Sequence, residues 1–222
     1  QVIHEGIDVE GMKALRQLSL PKPTCLPEDP GLEIVTYVSR GFEEYRGFPQ
    51  AMQAIAELQR RRPSLHALIV GHDGVAYGST RQDGRSWGEW AKDEVSLDPS
   101  RTHWMGILQD AEYHQVLACS SVHLYLTVPF VLSWSLLEAM AAGCALVASA
   151  TAPVLEVLEH NQSALLVDFF DSMAQADALE LLLDQSDLRR HLISGAKSRA
   201  ADYSSTAGTK AWLGLLGEEL KT

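Results

Sequence analysis

The fold class that the sequence predicts is α/β, with a doubly wound parallel β-sheet, and three observations predict it. Short segments rich in β-branched and aliphatic residues alternate with segments of helical spacing from residue 32 onward. Glycine or proline closes several of these segments. Hydrophobic residues make up 46% of the chain and charged residues 21%, which is enough apolar material for a core. Alternating strands and helices imply βαβ units, so we expect a ligand outside the carboxyl ends of the strands.

The predicted elements follow an arm, residues 1–31, which holds a short helix at Gly11–Leu18 and four closely spaced prolines. The predicted strands are Glu33–Val38, His66–Val70, Thr102–Met105, Val122–Thr127, Ala145–Ala148 and Ala164–Val167. The predicted helices are Phe48–Arg61, Trp87–Lys92, Asp110–Cys119, Ser135–Ala142, Val154–His160, Ser172–Leu183, Leu188–Ala201 and Thr206–Leu220. The polar stretch 72–100 is long for a connection, and a loop of that kind often serves a ligand.

Composition excludes several classes of protein. The formal net charge is -11, from 18 basic and 29 acidic residues, and such a surface repels a nucleic-acid backbone. The three cysteines are far apart and show no metal-ligand spacing, which favours a reducing, cytoplasmic environment without zinc. No stretch approaches the roughly 20 apolar residues that span a bilayer. The first residues lack a signal pattern and are typical of the interior of a longer protein.

The first candidate binding feature is the loop after the first strand. Arg40 and Arg46 flank a stretch that begins at Gly41, and two arginine forks can hold a diphosphate through charge-assisted bonds. The alternative is that both arginines pair with Glu43 or Glu44 on the surface.

The second candidate is the start of the helix at Ser135. Ser135 with Glu138 three residues later fits a capping box, in which the carboxylate folds back on its own backbone. The alternative places a ligand at the positive end of this helix, with Glu138 accepting bonds from sugar hydroxyls.

Two further strands end in glycine. Gly71 and Gly106 let the backbone approach a ligand closely, although each also fits a plain turn, and Ile107 follows the second of them. The sequence has no Walker loop, no G-x-G-x-x-G fingerprint and no G-x-S-x-G elbow, which argues against P-loop kinases, NAD dehydrogenases and serine hydrolases.

Several motifs together resemble one known family over Val2–Leu213. They are Val2–Asp8, Ser39–Gly47, Leu136–Ser149, Pro153–Glu156 and Ser163–Asp168, of which Leu136–Ser149 is the most distinctive. With these motifs in this order along the chain, the sequence resembles the C-terminal domain of group 1 (family 4) GT-B glycosyltransferases. The resemblance implies a Rossmann-like sheet that forms the C-terminal half of a GT-B fold.

The implied activity is transfer of a sugar from a nucleotide diphosphate sugar to an acceptor hydroxyl. Family members usually retain the anomeric configuration and need neither a metal nor another cofactor. By position, Arg40 and Arg46 would hold the diphosphate, and Glu138 would bind the ribose. The resemblance further implies that Gly106 and Ile107 line the site of the nucleotide base. It also implies that backbone N–H groups of Ser133, Trp134 and Ser135 lie towards the phosphate and the sugar.

The sequence departs from the family pattern at three places. Phe130 stands where a glutamate is common, eight positions before Glu138, and Val131-Leu132-Ser133 replaces the usual Gly-Phe-Gly run. Arg46 replaces a lysine at a spacing one residue longer than usual. These differences leave the donor sugar open, and neither the base nor the acceptor (sugar, lipid or protein) follows from the sequence.

The resemblance also implies a partner domain. Residues 1–31 would be the interdomain hinge, residues 32–205 the donor domain, and residues 206–222 a helix returning to an N-terminal domain absent from this chain. We expect its interface at Leu213, Leu215 and Leu216, any membrane contact to come from the absent part, and no turnover by this chain alone. The alternatives are a noncatalytic nucleotide-sugar-binding module, or a related epimerase or phosphorylase.

Overall fold

The computed structural model describes residues 2–18 and 20–219 as a six-stranded, fully parallel sheet. The strands are β1 (Glu33–Gly41), β2 (Leu65–His72), β3 (Thr102–Gly106), β4 (Val122–Tyr125), β5 (Leu146–Ser149) and β6 (Leu165–Val167), in the spatial order β3-β2-β1-β4-β5-β6. The predicted α/β class, a Rossmann-like doubly wound sheet, is therefore confirmed. Gln1, Ser19 and residues 220–222 lie outside the described residues, including Leu220 of the predicted last helix.

Helices cover both faces of the sheet. They are α1 (Val9–Ala14), α2 (Phe48–Arg61), α3 (Trp87–Glu94), α4 (Asp110–Cys119), α5 (Trp134–Ala142), α6 (Ala152–Leu155), α7 (Ser172–Asp184), α8 (Ser186–Ala200) and α9 (Ser205–Glu219). One core cluster joins α2, α3 and α7 to the sheet, and another joins α1, α5 and α8 to the sheet. Within the described ranges, no helix is both long and apolar enough to cross a membrane.

Helices α1 and α6 differ most from their predicted bounds, whereas α3, α5, α7 and α8 differ by one or two residues at one or both ends. Helix α1 begins two residues before the predicted Gly11–Leu18, because the Asp8 carboxylate caps it by accepting from the Gly11 N–H at 3.0 Å. Helix α6 covers only Ala152–Leu155 in place of Val154–His160, and Pro153 lies in its first turn, where a missing N–H costs no hydrogen bond.

The arm is docked on the domain. The Ile7 N–H donates to the Tyr203 carbonyl at 3.0 Å, and the Ser205 N–H donates to the Ile7 carbonyl at 2.9 Å. Val9 and Met12 of α1 are buried in the cluster that contains α5. The first residues are therefore tied to the start of α9 and lie beside the central sheet.

The strand order reverses between β1 and β4. The chain proceeds from β1 to β2 and β3 on one side, then returns so that β4 pairs with β1, with Tyr37 opposite Leu124. Adjacent parallel strands whose connections leave in opposite directions open a crevice at their carboxyl ends. This switch point fixes where a ligand site is expected.

His123 of β4 is a buried histidine at the centre of the sheet. Its Nδ1 lies 2.8 Å from the Thr36 hydroxyl, and its Nε2 has no hydrogen-bond partner within the described residues. Burial lowers the pKa of His123 to about 4, since the protonated ring would have to be desolvated.

This burial predicts a pH-dependent stability. A histidine whose folded-state pKa is depressed binds its proton mainly in the unfolded chain, so the free energy of unfolding falls as pH decreases from about 6.5 towards 4. The full loss from His123 is about 3 kcal/mol. We expect His123→Asn to remove that component in urea unfolding measured across this pH range.

The control is His191→Asn, which changes an exposed histidine of α8 and should keep the wild-type pH dependence. A pH dependence of His123→Asn equal to that of the wild type would contradict the prediction.

Candidate functional site

A cleft of about 500 Å³ opens at the switch point. Its walls are the ends of β1 and β4, residues 131–134 before and at the start of α5, and residues 3–6 of the arm. The side chains of Arg40, Arg46 and Tyr77 line it as well. The sheet topology therefore brings both predicted diphosphate arginines to one cleft.

Arg46 is only 6% exposed, which is unusual for a guanidinium group. Its Nη1 donates to the Thr127 hydroxyl at 3.0 Å and to the Val131 carbonyl at 2.8 Å. The Tyr37 hydroxyl donates to the Arg46 carbonyl at 2.8 Å and holds the backbone. Neutral oxygens thus position this cation, and no carboxylate among the described residues forms an ion pair with it.

Arg40 lies at the exposed end of β1. Its Nη1 donates to the Tyr77 hydroxyl at 3.3 Å, and it too forms no ion pair within the described ranges. The alternative pairing with Glu43 is not formed. Oε2 of the buried Glu43 accepts the N–H groups of Ala76, Tyr77 and Gly78 at 2.8 to 3.1 Å, and its Oε1 has no hydrogen-bond partner among the described residues. The cleft therefore contains two arginines without an ion-pair partner among the described residues, and Glu5 is the carboxylate among its lining residues.

The start of α5 faces the same cleft. Ser133 is the N-cap residue, and its hydroxyl accepts from the Ser135 N–H at 3.3 Å, while its own N–H donates to the Tyr125 hydroxyl at 2.9 Å. The capping box considered for Ser135 and Glu138 is therefore not formed. Ser133 and Trp134 line the cleft, so the positive end of this helix dipole points towards it.

Glu138 lies one turn further along α5 and is not among the residues that line this cleft. Its Oε2 accepts from the Tyr113 hydroxyl of α4 at 2.7 Å. Burial and the neighbouring carboxylate both raise the pKa of Tyr113, so the phenol keeps its proton and remains a donor. The Glu138 carboxylate is oriented by another side chain and not by its own helix backbone.

The remaining predicted site residues are not among those that line this cleft. A Cβ on Gly41 would lie 2.4 Å from the Gly74 carbonyl, and one on Gly71 would lie 2.4 Å from the Ser39 carbonyl, so both glycines permit close packing of chain segments. Gly106 has a φ of +65° with open space beside it, and Ile107 is 75% exposed at the end of β3. The buried Ser135 uses its N–H in the cap.

Some site residues give no local signal in the sequence. Thr127 supports Arg46 across 81 positions, and Tyr113 reaches Glu138 across 25 positions. Tyr77 falls in the long polar stretch after β2, whose length indicated a ligand-serving loop without indicating which residue would face the cleft.

The fold and the charged cleft define a doubly wound α/β domain with a site at its switch point. A model of the family "Glycosyl transferases group 1" matches residues 25–199, and the chain belongs to this family. One curated relative is a D-inositol 3-phosphate glycosyltransferase of Nocardioides sp., which is 27% identical over 210 residues. That match covers 92% of this chain and 45% of the relative, so the chain spans about half of the relative's length.

Solved structures share the fold. Anabaena Alr3699/HepE in complex with UDP-glucose matches with a TM-score of 0.77 and 18% identity, over 98% of this chain and 57% of that chain. The C-terminal domain of a group 1 glycosyl transferase, LpcC of Francisella tularensis, matches with a TM-score of 0.66 and 16% identity. This second match covers 88% of this chain and 97% of that domain.

The cap of α5 gives a stability prediction. Ser133→Ala should lower the free energy of unfolding by about 1 kcal/mol, because it removes the oxygen that accepts the Ser135 N–H. Glu138→Gln should lower the free energy of unfolding by less, because this carboxylate takes no part in the cap. Urea unfolding of the two variants at pH 7 compares them directly. An equal or larger loss of unfolding free energy in Glu138→Gln would contradict the prediction and indicate that Glu138 caps the helix.

Proposed function

We propose that this chain is the donor-binding, C-terminal half of a GT-B glycosyltransferase that moves a sugar from a nucleotide diphosphate sugar to an acceptor hydroxyl. Retention of the anomeric configuration and independence of a metal belong to this proposal and rest on the family resemblance. The observation that carries it is the pair Arg40 and Arg46 at the switch-point cleft, neither paired with a carboxylate among the described residues.

The charge state of Arg46 explains why an anion is the expected ligand. Taking a guanidinium group out of water is costly, and hydrogen bonds to neutral oxygens offset only part of that cost. A diphosphate would supply the missing negative charge and accept from the donors that Thr127 and Val131 leave free. The bound ligand therefore completes a site that the protein leaves positively charged.

The same groups would act in the chemical step. As the bond between the sugar and the diphosphate breaks, negative charge grows on the leaving phosphate oxygens. Two guanidinium groups and the N-terminus of α5 are already oriented towards that position and need little reorganisation. This is electrostatic stabilisation of the leaving group by fixed protein dipoles and charges.

The nucleoside would extend towards Glu138. Tyr113 holds one oxygen of this carboxylate, and the half-buried group can accept from the ribose hydroxyls through its other oxygen. Gly106 and Ile107 at the end of β3 remain the proposed base contacts. The structure of Alr3699/HepE with UDP-glucose supports a nucleotide sugar as the ligand class, through the shared fold.

The proposal includes a domain division. Residues 1–31 would be the hinge, residues 32–205 the donor domain, and residues 206–222 the segment that meets an N-terminal domain. Leu213 and Leu216 of α9 are exposed, and Leu215 is half-buried, as an unfilled interface would require. The acceptor site and full turnover would depend on that second domain, and the dispersed free cysteines support a reducing, cytoplasmic location.

A thermal-shift panel tests the ligand class. We expect one nucleoside diphosphate or its sugar, among uridine, guanosine, adenosine and deoxythymidine forms, to stabilise the chain. At 100 times Kd the gain is about 2.7 kcal/mol, which corresponds to a rise in Tm of roughly 5–10 °C for a domain of this size. Absence of any shift with all four nucleotides and their sugars would contradict the proposal.

Arginine variants test the assignment of the site. Arg40→Ala and Arg46→Ala should each weaken binding of the stabilising nucleoside diphosphate about tenfold or more, since each loses charge-assisted hydrogen bonds to phosphate. Isothermal titration measures this, with circular dichroism checking that Arg46→Ala is folded. Arg190→Ala is the matched control, because Arg190 lies exposed on α8 and pairs with Asp187. Wild-type affinity in both cleft variants would refute the assignment.

A further inference from the structure

Tyr77 lies between the two arginines of the switch-point cleft and contacts both of them. Its ring centroid lies 5.9 Å from the guanidinium carbon of Arg40 and 5.7 Å from that of Arg46. Its hydroxyl oxygen accepts from Nη1 of Arg40 at 3.3 Å. The side chain is 46% exposed and lines the cleft. Because the face of an aromatic ring attracts cations, Tyr77 helps to keep two mutually repelling guanidinium groups in one cleft.

The segment that carries Tyr77 is closed at its base. It comprises residues 73–88, which join β2 to the first turn of α3, and we call it the Tyr77 loop. The Asp73 carboxylate accepts from the Ser86 hydroxyl at 2.8 Å and from the Gly88 N–H at 2.9 Å. A loop whose ends are joined in this way is a compact unit, and such loops frequently carry functional residues.

The Glu43 carboxylate sets the position of Tyr77 within this loop. It is fully buried, and its Oε2 accepts from the N–H groups of Tyr77 and Gly78 at 2.8 Å and of Ala76 at 3.1 Å. Its Oε1 has no hydrogen-bond partner within the described ranges. Burying a carboxylate without an ion pair is costly, and the three N–H groups offset only part of that cost. This carboxylate therefore stabilises one particular position of the 76–78 turn, and with it that of the Tyr77 side chain.

The Tyr77 hydroxyl group still has a proton to donate. A phenol has one O–H donor besides its acceptor lone pairs, and here Arg40 uses the oxygen as an acceptor. Among the residues that the structure describes, none accepts the phenol proton. A bond accepted from a cation polarises the O–H group and strengthens its own donation. An anionic oxygen is the acceptor that suits this position, because two guanidinium groups flank it.

We propose that Tyr77 is a direct ligand of the donor's diphosphate, and that Glu43 is its positioning residue. This inference rests on the proposed function, in which Arg40 and Arg46 hold the diphosphate. Tyr77 donates its phenol proton in a hydrogen bond to a phosphate oxygen, while Arg40 continues to donate to the Tyr77 oxygen. The Tyr77 loop thus supplies a neutral donor, which adds to the affinity for phosphate without adding to the repulsion between the arginines.

Titrations with two ligands test the contact with phosphate. The ligands are the nucleoside diphosphate that stabilises the wild type most, among UDP, GDP, ADP and dTDP, and inorganic pyrophosphate in competition with it. Tyr77→Phe keeps the ring and should weaken both ligands about fivefold or more, since it removes a hydrogen bond to a charged group. Tyr45→Phe is the matched control, because Tyr45 is 41% exposed and is not among the cleft-lining residues.

Unchanged affinity for both ligands in Tyr77→Phe would overturn the contact, and so would a loss confined to the nucleoside diphosphate, since the hydroxyl would then touch the nucleoside. Failure of the folded wild type to bind any of the four nucleoside diphosphates, or of pyrophosphate to compete, contradicts the proposed function itself. Either failure is seen before any variant is compared.

A double variant separates a direct contact from an indirect one. If the Tyr77 hydroxyl touches phosphate, Tyr77→Phe should still weaken the nucleoside diphosphate at least about threefold in an Arg40→Ala background. A loss that disappears in this background would show that the hydroxyl only orients Arg40, and would overturn the direct contact.

A second cycle tests the positioning role of Glu43. Glu43→Gln keeps the size and removes the charge, and should weaken the nucleoside diphosphate at least about threefold in the wild type but have almost no effect in a Tyr77→Ala background. Glu44→Gln makes the same change at the exposed neighbouring residue and should leave the affinity unchanged. No loss in Glu43→Gln, or an equal loss in both backgrounds, would overturn the positioning role. Circular dichroism checks folding, and Glu43→Asp gives the same comparison if Glu43→Gln is unfolded.

Discussion

The buried guanidinium group of Arg46 is the interaction on which the site depends. It is held by a hydroxyl and a carbonyl, without a carboxylate partner among the described residues, at the crevice between β1 and β4. A paired cation in the same place would be electrostatically satisfied and would gain little from a phosphate. An unpaired one retains its charge for a ligand, and the surrounding aromatic rings limit its access to water.

The sheet order determines what reaches this cation. Because β4 returns beside β1, the loops after β1, β2 and β4 meet over one edge of the sheet. Glu43 has a structural role there: its Oε2 accepts three N–H groups of the 76–78 turn, and it forms no ion pair with Arg40 or Arg46. Sequence spacing made Glu43 a possible ion-pair partner of the arginines, whereas in the structure this carboxylate positions Tyr77.

The sequence predicts those parts of the structure whose signals are local. Helices α2 and α4 have their predicted bounds, and the strand–helix alternation is confirmed in all six strands. Side-chain partners were harder to predict. Ser133 caps α5 in place of Ser135. Two serines flank Trp134, and sequence spacing alone does not show which of them is the cap. The hydrogen-bond partner of Glu138, Tyr113, comes from another helix. These choices depend on tertiary packing.

The most direct test is a crystal structure of this chain with the nucleoside diphosphate that raises its Tm most. The account predicts that the diphosphate lies in the switch-point cleft, with its oxygens within hydrogen-bonding distance of the Arg46 guanidinium group and near the start of α5. A diphosphate bound elsewhere, or an Arg46 that pairs with a carboxylate of the protein while the nucleotide is bound, would contradict it.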